Sequence, residues 1–229
     1  VISLEIKDRI IESAYELFAI KGYEKTTIGE IIKIADCSKG GFYHHFKSKE
    51  EILEVIITNY IDDLAVHFES ILSNKKDSFI DRFNAIYKTI CQIKIKQLNE
   101  WSKVKNVFIF TGNDRIIRQL EKQFKIATTR TYLEVLQAGK EQGIIDIEYP
   151  EIFAELCTRE VLWINEAAGK LIISEDQNEY LMFEKLLDFS EALISHALGL
   201  DKNEVKFRDA ALEYLKVSKE SYLAHKEGY

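Results

Sequence analysis

The sequence predicts an all-α fold. In 229 residues there is a single proline, Pro150, and only ten glycines, so few positions interrupt a helix. Apolar residues recur at helical spacing, as at Ile6, Ile10, Ala14, Leu17 and Phe18. Capping residues such as Thr27, Ser38, Ser48 and Asp114 stand before the runs that follow. A hydrophobic content of 46% and a charged content of 30% are those of an ordinary globular protein with a full core.

The first helix is expected over 4–21, with Gly22 ending it in a left-handed cap. Thr27 then caps a short helix, and Glu30 stands three residues on, where it completes a capping box. Ile28, Ile31, Ile32 and Ala35 fall on one face of it. Asp36 and Cys37 make the turn, because Asp is among the few non-glycine residues that tolerate left-handed backbone angles. Ser38 caps a second short helix over 39–45. Two apolar helical blocks joined by a tight turn are the sequence form of a helix-turn-helix. Ser48 caps a long helix to about residue 73, with Glu50 and Glu51 favourably placed in its first turn.

Further helices are expected over 79–98, over a short stretch ending at 111–113, and from Asp114 to about 142. Residues 144–150 connect to helices over 151–173 and 177–198, and Asp201 is expected to cap a final helix to about 224. The organisation read from this is a head over 1–47 and a larger helical domain over 48–229, linked by the long helix over 48–73.

The second short helix is suited to a phosphate backbone. Gly40 and Gly41 cost helix stability, about 1 kcal/mol each relative to Ala, which makes sense where bare backbone approaches another surface. Tyr43, His44 and His45 offer polar tips. Lys33, Lys39, Lys47 and Lys49 face only one acid, Asp36, in this stretch. His44 and His45 are not a metal pair, since adjacent residues point about 100° apart on a helix.

The run Gly22-Tyr23-x-x-Thr26-Thr27-Ile28, then Ile31 to Ala35, then Ser38 to Lys49 (SKGGFYHHFKSK) resembles the N-terminal DNA-binding domain of the TetR family of bacterial transcriptional regulators. The likeness covers roughly residues 6–60. One departure is Asp36, where the family usually has Gly. The resemblance implies a ligand-responsive regulator, a repressor, that binds a palindromic DNA operator as a homodimer in the cytoplasm. It implies DNA contacts from Thr27, Ser38, Lys39, Gly40, Gly41, Tyr43, His44, His45 and Lys49, with Tyr43 on a phosphate. It also implies a cavity in the larger domain for a small hydrophobic or amphipathic effector. Trp101, Phe110, Tyr132 and Trp163 are the wall candidates, and Asn165 or Glu166 the polar anchors.

The charge distribution is compatible with that reading. Residues 1–50 hold eight Lys/Arg and eight Asp/Glu, so the whole net charge of −7 lies on the rest of the chain. No apolar run approaches the roughly 18 residues of a membrane span, and the charged start, Glu5 to Arg9, is unlike a signal peptide. The chain does not begin with Met, so residues upstream of Val1 are expected. Cys37, Cys91 and Cys157 lie far apart, without the spacing of a disulfide framework or zinc site. No nucleophile elbow, phosphate loop or dinucleotide fingerprint is present, and no cofactor is expected. The alternative is a helical enzyme or interaction protein with a look-alike head, which would lack the steep salt dependence of DNA binding.

The helices over 151–173 and 177–198 carry an apolar surplus: Ile152, Leu156, Leu162, Leu171, Leu181, Phe183, Leu186, Leu187, Phe189, Leu193, Ile194 and Ala197. A self-complementary two-fold contact of four helices would absorb it.

Overall fold

A computed structural model describes residues 5–100 and 114–226. Its helices, among the described residues, are α1 (Ile6–Lys21), α2 (Ile28–Ile34), α3 (Lys39–His45), α4 (Lys49–Ser73), α5 (Phe79–Glu100), α6 (Asp114–Glu141), α7 (Pro150–Leu171), α8 (Gln177–Ala197) and α9 (Arg208–Lys226). The protein is all-α, with a helix-turn-helix at the N-terminus and a larger helical region after it. The short helix expected just before Asp114, with Trp101 and Phe110, lies outside the described residues.

The chain divides into two compact units, one of Val1–Asp63 with Glu100–Gln123 and one of Leu64–Asn99 with Phe124–Tyr229. The division falls inside α4, between Asp63 and Leu64. In the first unit α1 packs on α2 and α3. Its core gathers Ile10, Ala14 and Phe18 from α1, Ile31 from α2, Phe42 and Phe46 around α3, and Ile52, Leu53, Ile56 and Tyr60 from α4. The α4 residues share the helical spacing that buries one face, so the first turns of that helix belong to the head's core. Ile6, expected in the buried stripe, is exposed in the first turn of α1.

In the second unit α7 packs on α8 and α9, and α8 on α9. Phe83 of α5 meets Tyr132 of α6 with ring centroids 5.1 Å apart. Tyr87 meets Phe207 edge-on at the same distance. Gly139 allows the closest approach: a Cβ there would lie 2.5 Å from Cδ2 of Phe79. Helix α7 begins on Pro150, a residue earlier than expected, because proline's fixed φ suits the first helical position.

Helix α9 starts later than the sequence implied. Asp201 does not cap it; residues 201–207 form a turn, and Val205 and Phe207 within it are buried. The cap comes from another helix. The Glu191 carboxylate of α8 accepts the backbone N–H groups of Phe207 and Arg208 at 2.6 and 2.7 Å. A carboxylate at a helix N-terminus satisfies free donors and opposes the positive end of the dipole. Arg208 returns the contact, donating to Asp188 and Glu184. Asn84 of α5 fixes the turn on both sides, donating to the Glu204 carbonyl at 2.8 Å and accepting the Lys206 N–H at 2.9 Å.

Candidate nucleic-acid interface

The short helices of the head are assembled from their caps. Thr27 Oγ1 accepts the Glu30 N–H at 3.3 Å, while the Glu30 carboxylate accepts the Thr27 N–H at 2.9 Å and the Thr27 hydroxyl at 2.7 Å. This is the capping box expected from the sequence. Lys21 of α1 is ion-paired with the same carboxylate. Lys21 above all, then Thr27, holds the Glu30 carboxyl at a pKa of about 2.

Helix α2 ends as its sequence predicts. Asp36 takes a left-handed φ of 46°, and the Cys37 N–H reaches back to the Ile32 carbonyl at 3.2 Å. That bond is the six-to-one contact of a Schellman motif, with Asp36 in the position usually given to glycine. Ser38 then caps α3, accepting the Gly41 N–H at 2.9 Å.

Helix α3 divides cleanly. Phe42 and Phe46, one turn apart, are buried in the head. Lys39, Gly40, Tyr43 and His44 are exposed on the other side, with His45 half-buried. The Tyr43 ring stands edge-on to Phe42 at 5.3 Å, which steadies it with 48% of its surface free. The His44 and His45 rings meet edge-on at 4.9 Å. The exposed side is therefore a short strip of donors, a bare glycine backbone and one lysine, the groups that reach phosphates and base edges.

Thr27 and Lys49 also make hydrogen bonds within the head. The Thr27 hydroxyl proton is engaged by Glu30. The Lys49 ammonium is half-buried and donates to the carbonyls of Tyr23 and Thr26 at 2.9 and 2.8 Å. It also lies 4.4 Å from the centroid of the Tyr23 ring. Two of the three Lys49 donors are thus taken within the head.

Of the expected effector residues, Trp101 and Phe110 lie outside the described residues, and the other four differ in exposure. Tyr132 is fully buried in the core. Asn165 is half-buried, and its amide oxygen, shut off from solvent, accepts no hydrogen bond. Glu166 is exposed and paired with Lys170 at 2.7 Å. Trp163, expected to wall an interior cavity, is 51% exposed. It lines an open apolar groove of about 530 Å³ between α7 and α8, with Met182, Leu186 and Phe189. The helical stripe Ile152, Leu156, Trp163 already puts it on the outer face of α7.

That outer face also sorts the apolar surplus. Ile152, Leu181 and Phe189 are exposed, as is Met182, which the sequence reading did not single out. Leu171, Phe183, Leu187 and Ile194 are buried within the protomer, so they belong to its core and not to an outer contact. Burial raises the pKa of the Cys91 thiol to about 11 and pushes Cys157 up further, leaving both protonated and unreactive. Among the described residues no cluster of three His, Cys, Asp or Glu is placed to hold a metal ion. No helix among them is long and apolar enough to cross a membrane.

Comparison with known proteins agrees with the geometry of the head. Residues 10–56 match the family described as bacterial regulatory proteins, tetR family. The HTH-type transcriptional regulator QacR of Staphylococcus aureus is 48% identical over 54 residues, which are 23% of this chain and 29% of that protein. The chain thus spans under a third of QacR. The HTH-type transcriptional repressor KstR2 of Mycolicibacterium smegmatis is 24% identical over 188 residues, covering 76% of this chain and 86% of that one. The fold is shared with a solved complex of SmeT and triclosan, with a TM-score of 0.65, 16% identity, and 88% and 94% of the two chains covered. It is shared also with a TetR-family regulator from Syntrophomonas wolfei, with a TM-score of 0.61, 21% identity, and 82% and 94% covered. With this head on this all-helical body, the chain belongs to the TetR family of bacterial transcriptional regulators.

Proposed function

We propose that this regulator is a homodimeric, effector-responsive repressor whose α3 enters the major groove of a palindromic operator. The observation that carries the reading is the two-sidedness of α3. Phe42 and Phe46 lock it to the head, while Lys39, Gly40, Tyr43 and His44 face outward. Lys39 reads base edges or phosphate, and Tyr43 and His44 hold phosphates, with His45 and the Ser38-capped backbone at Gly40 and Gly41 beside them. The domain boundary expected before residue 48 then describes the part that touches DNA.

One head-sized contact buries little area, and a two-fold pair places two copies of α3 in successive major grooves, about 34–36 Å apart. The exposed face of α7 and α8, with Ile152, Trp163, Leu181, Met182 and Phe189, is the surface for that pairing. Its occupant is the same face of a second copy. The effector is a small hydrophobic or amphipathic molecule bound within the larger helical region. Only an effector that prefers the non-binding spacing of the two heads releases DNA. Such a protein works where bacterial DNA is, in the cytoplasm.

The test is selection of duplexes from a randomised library by the wild-type protein, followed by footprinting. A palindrome with half-sites about one helical turn apart supports the reading. Recovery of no sequence above background, or binding without salt dependence, overturns it.

A further inference from the structure

We infer that Lys94, Tyr87 and Tyr132 form a buried receptor for a carboxylate, and that the effector of this protein is therefore a monoanion with an apolar body. The inference rests on the reading of the larger helical region as the part that binds an effector. All three residues lie in the second compact unit. Tyr87, Cys91 and Lys94 follow at intervals of four and three along α5, so they share one face of it, and all are buried. Two helices close over that face. Phe79 lies against Gly139 and Phe83 against Tyr132, so α6 runs antiparallel to α5 and Thr128 comes level with Tyr87. Tyr87 meets Phe207, and the Lys94 ammonium stands 4.9 Å from the centroid of the Tyr214 ring, so α9 runs parallel to α5 on the other side.

This face collects donors. The hydroxyls of Thr128 and Tyr132 are shut off from solvent and find no hydrogen-bond partner among the described residues. The Tyr87 phenol, equally enclosed, has the Cys91 thiol beside it, which is only a weak acceptor. Buried phenols ordinarily find a partner, and several left without one in the same layer call for an explanation. Cys91 stands in their midst: Tyr87, Tyr132 and Lys94 are each close enough to it for its charge to bear on their ionisation. Burial pulls the Lys94 pKa down to about 8, so the surroundings do not offset the cost of the charge.

A carboxylate answers both needs. It accepts from the ammonium and from the phenols in charge-assisted bonds, in an interior where opposite charges attract more strongly than in water. One ammonium balances one negative charge, which favours a carboxylate over a phosphate dianion. The rings of Phe83, Phe207 and Tyr214 around the donors suit an apolar body. A cationic effector would meet the Lys94 charge directly.

The experiment measures binding to the full chain at pH 7 by calorimetry. The probes are straight-chain carboxylates of about six, eight and ten carbons, the primary alcohols of the same lengths, and the matching alkyltrimethylammonium ions. At least one carboxylate should bind at least tenfold more tightly than its alcohol, and the ammonium ions should bind no better than the alcohols. Lys94→Met should remove the preference while leaving the alcohol within about twofold, and Tyr132→Phe should weaken the carboxylate severalfold. No binding by any carboxylate, no preference over the alcohol, or a preference that survives in Lys94→Met overturns the proposal.

Nuclear magnetic resonance titration of the Lys94 side chain in the wild type gives a second readout, which stands even if a variant fails to fold. Saturation with the preferred carboxylate should raise the Lys94 midpoint; an unmoved midpoint puts the carboxylate elsewhere and overturns the receptor. Operator selection separates the two readings. A protein that selects a palindrome but ignores carboxylates loses this site and keeps the repressor reading, whereas one that binds carboxylates through Lys94 but selects no duplex does the reverse.

Discussion

A Cβ added to Gly40 would come no nearer than 3.9 Å to the Ser38 hydroxyl oxygen, the nearest atom beyond the backbone of its own helix. Nothing within the chain therefore requires glycine there. Gly40 also has no left-handed backbone angle to excuse it, and it lowers helix stability by about 1 kcal/mol relative to Ala. On the proposed reading the requirement lies outside the protein, where a duplex would approach the bare backbone. Gly40→Ala should raise the stability of the head by up to about 1 kcal/mol, read by thermal unfolding. It should weaken operator binding at least about tenfold, which is about 1.4 kcal/mol of lost contact. A variant both more stable and equally tight would place the DNA surface elsewhere.

The outer face of α7 and α8 gives a second prediction. Trp163 is half exposed in the protomer, so replacing it should change protomer stability little, by about 0.5 kcal/mol or less. Trp163→Glu and Phe189→Glu should each shift the protein from dimer to monomer in sedimentation at micromolar concentration, with helicity retained. Operator affinity should fall with them, since one head alone holds a single half-site. Dimers that persist in both variants would mean that another surface pairs.

Much of this was legible before the structure, and the reason is locality. The Thr27–Glu30 box, the Asp36 turn and the Ser38 cap join residues three to five apart, so sequence spacing specifies them. The same holds for the division of α3, because Phe42 and Phe46 must share a face at i and i+4. What was not legible joins residues far apart. Lys49 carries the family's basic pattern, yet its ammonium donates to carbonyls over 20 positions away. Asp201 looks like a helix cap, but Glu191 provides one from another helix and lets the chain turn first. Trp163 and Tyr132 are both large aromatics on apolar helices, yet Tyr132 is buried with its ring against Phe83 of α5 while Trp163 is half exposed on α7.

The Thr27 box makes the head's stability depend on acid. The Glu30 carboxyl has a pKa of about 2 in the folded protein, held there chiefly by Lys21, against about 4.3 for an unperturbed Glu. Where the folded pKa is depressed, the unfolded state binds the extra proton. The contribution of Glu30 is therefore fully present above about pH 4.5 and is lost as pH falls toward 2. Glu30→Gln should lower the head's stability at neutral pH and should show a shallower loss between pH 5 and 2. Acid titrations of the two proteins that run parallel would remove Glu30 from the account.

Lys94 of α5 predicts that stability also rises with pH in the alkaline range, there by relief of a cost. It is only 2% exposed, with its ammonium 4.9 Å from the Tyr214 ring centroid. Burial pulls its pKa from 10.5 down to about 8, against an opposing pull from Cys91. Cys91 itself is raised to about 11, and burial raises Tyr87 and Tyr132 well above their ordinary value. These neighbours stay neutral through most of the window in which Lys94 titrates. Between about pH 8 and 10.5 the unfolded chain keeps a proton on Lys94 that the folded protein has released, so stability attributable to this residue rises with pH. Below pH 8 the full cost of holding the charge inside remains, of order 3 kcal/mol at about 1.4 kcal/mol per pKa unit, less whatever the Tyr214 ring returns. Lys94→Met keeps a similar volume without the charge. It should be the more stable protein at pH 7, and its advantage should shrink steadily to pH 10.5. Urea unfolding of both proteins at pH 7, 8, 9 and 10 measures that difference and cancels the titration of groups common to both. An advantage constant with pH would assign the effect to packing, and one that grows with pH would mean that the folded protein holds the Lys94 proton more tightly than the unfolded chain does.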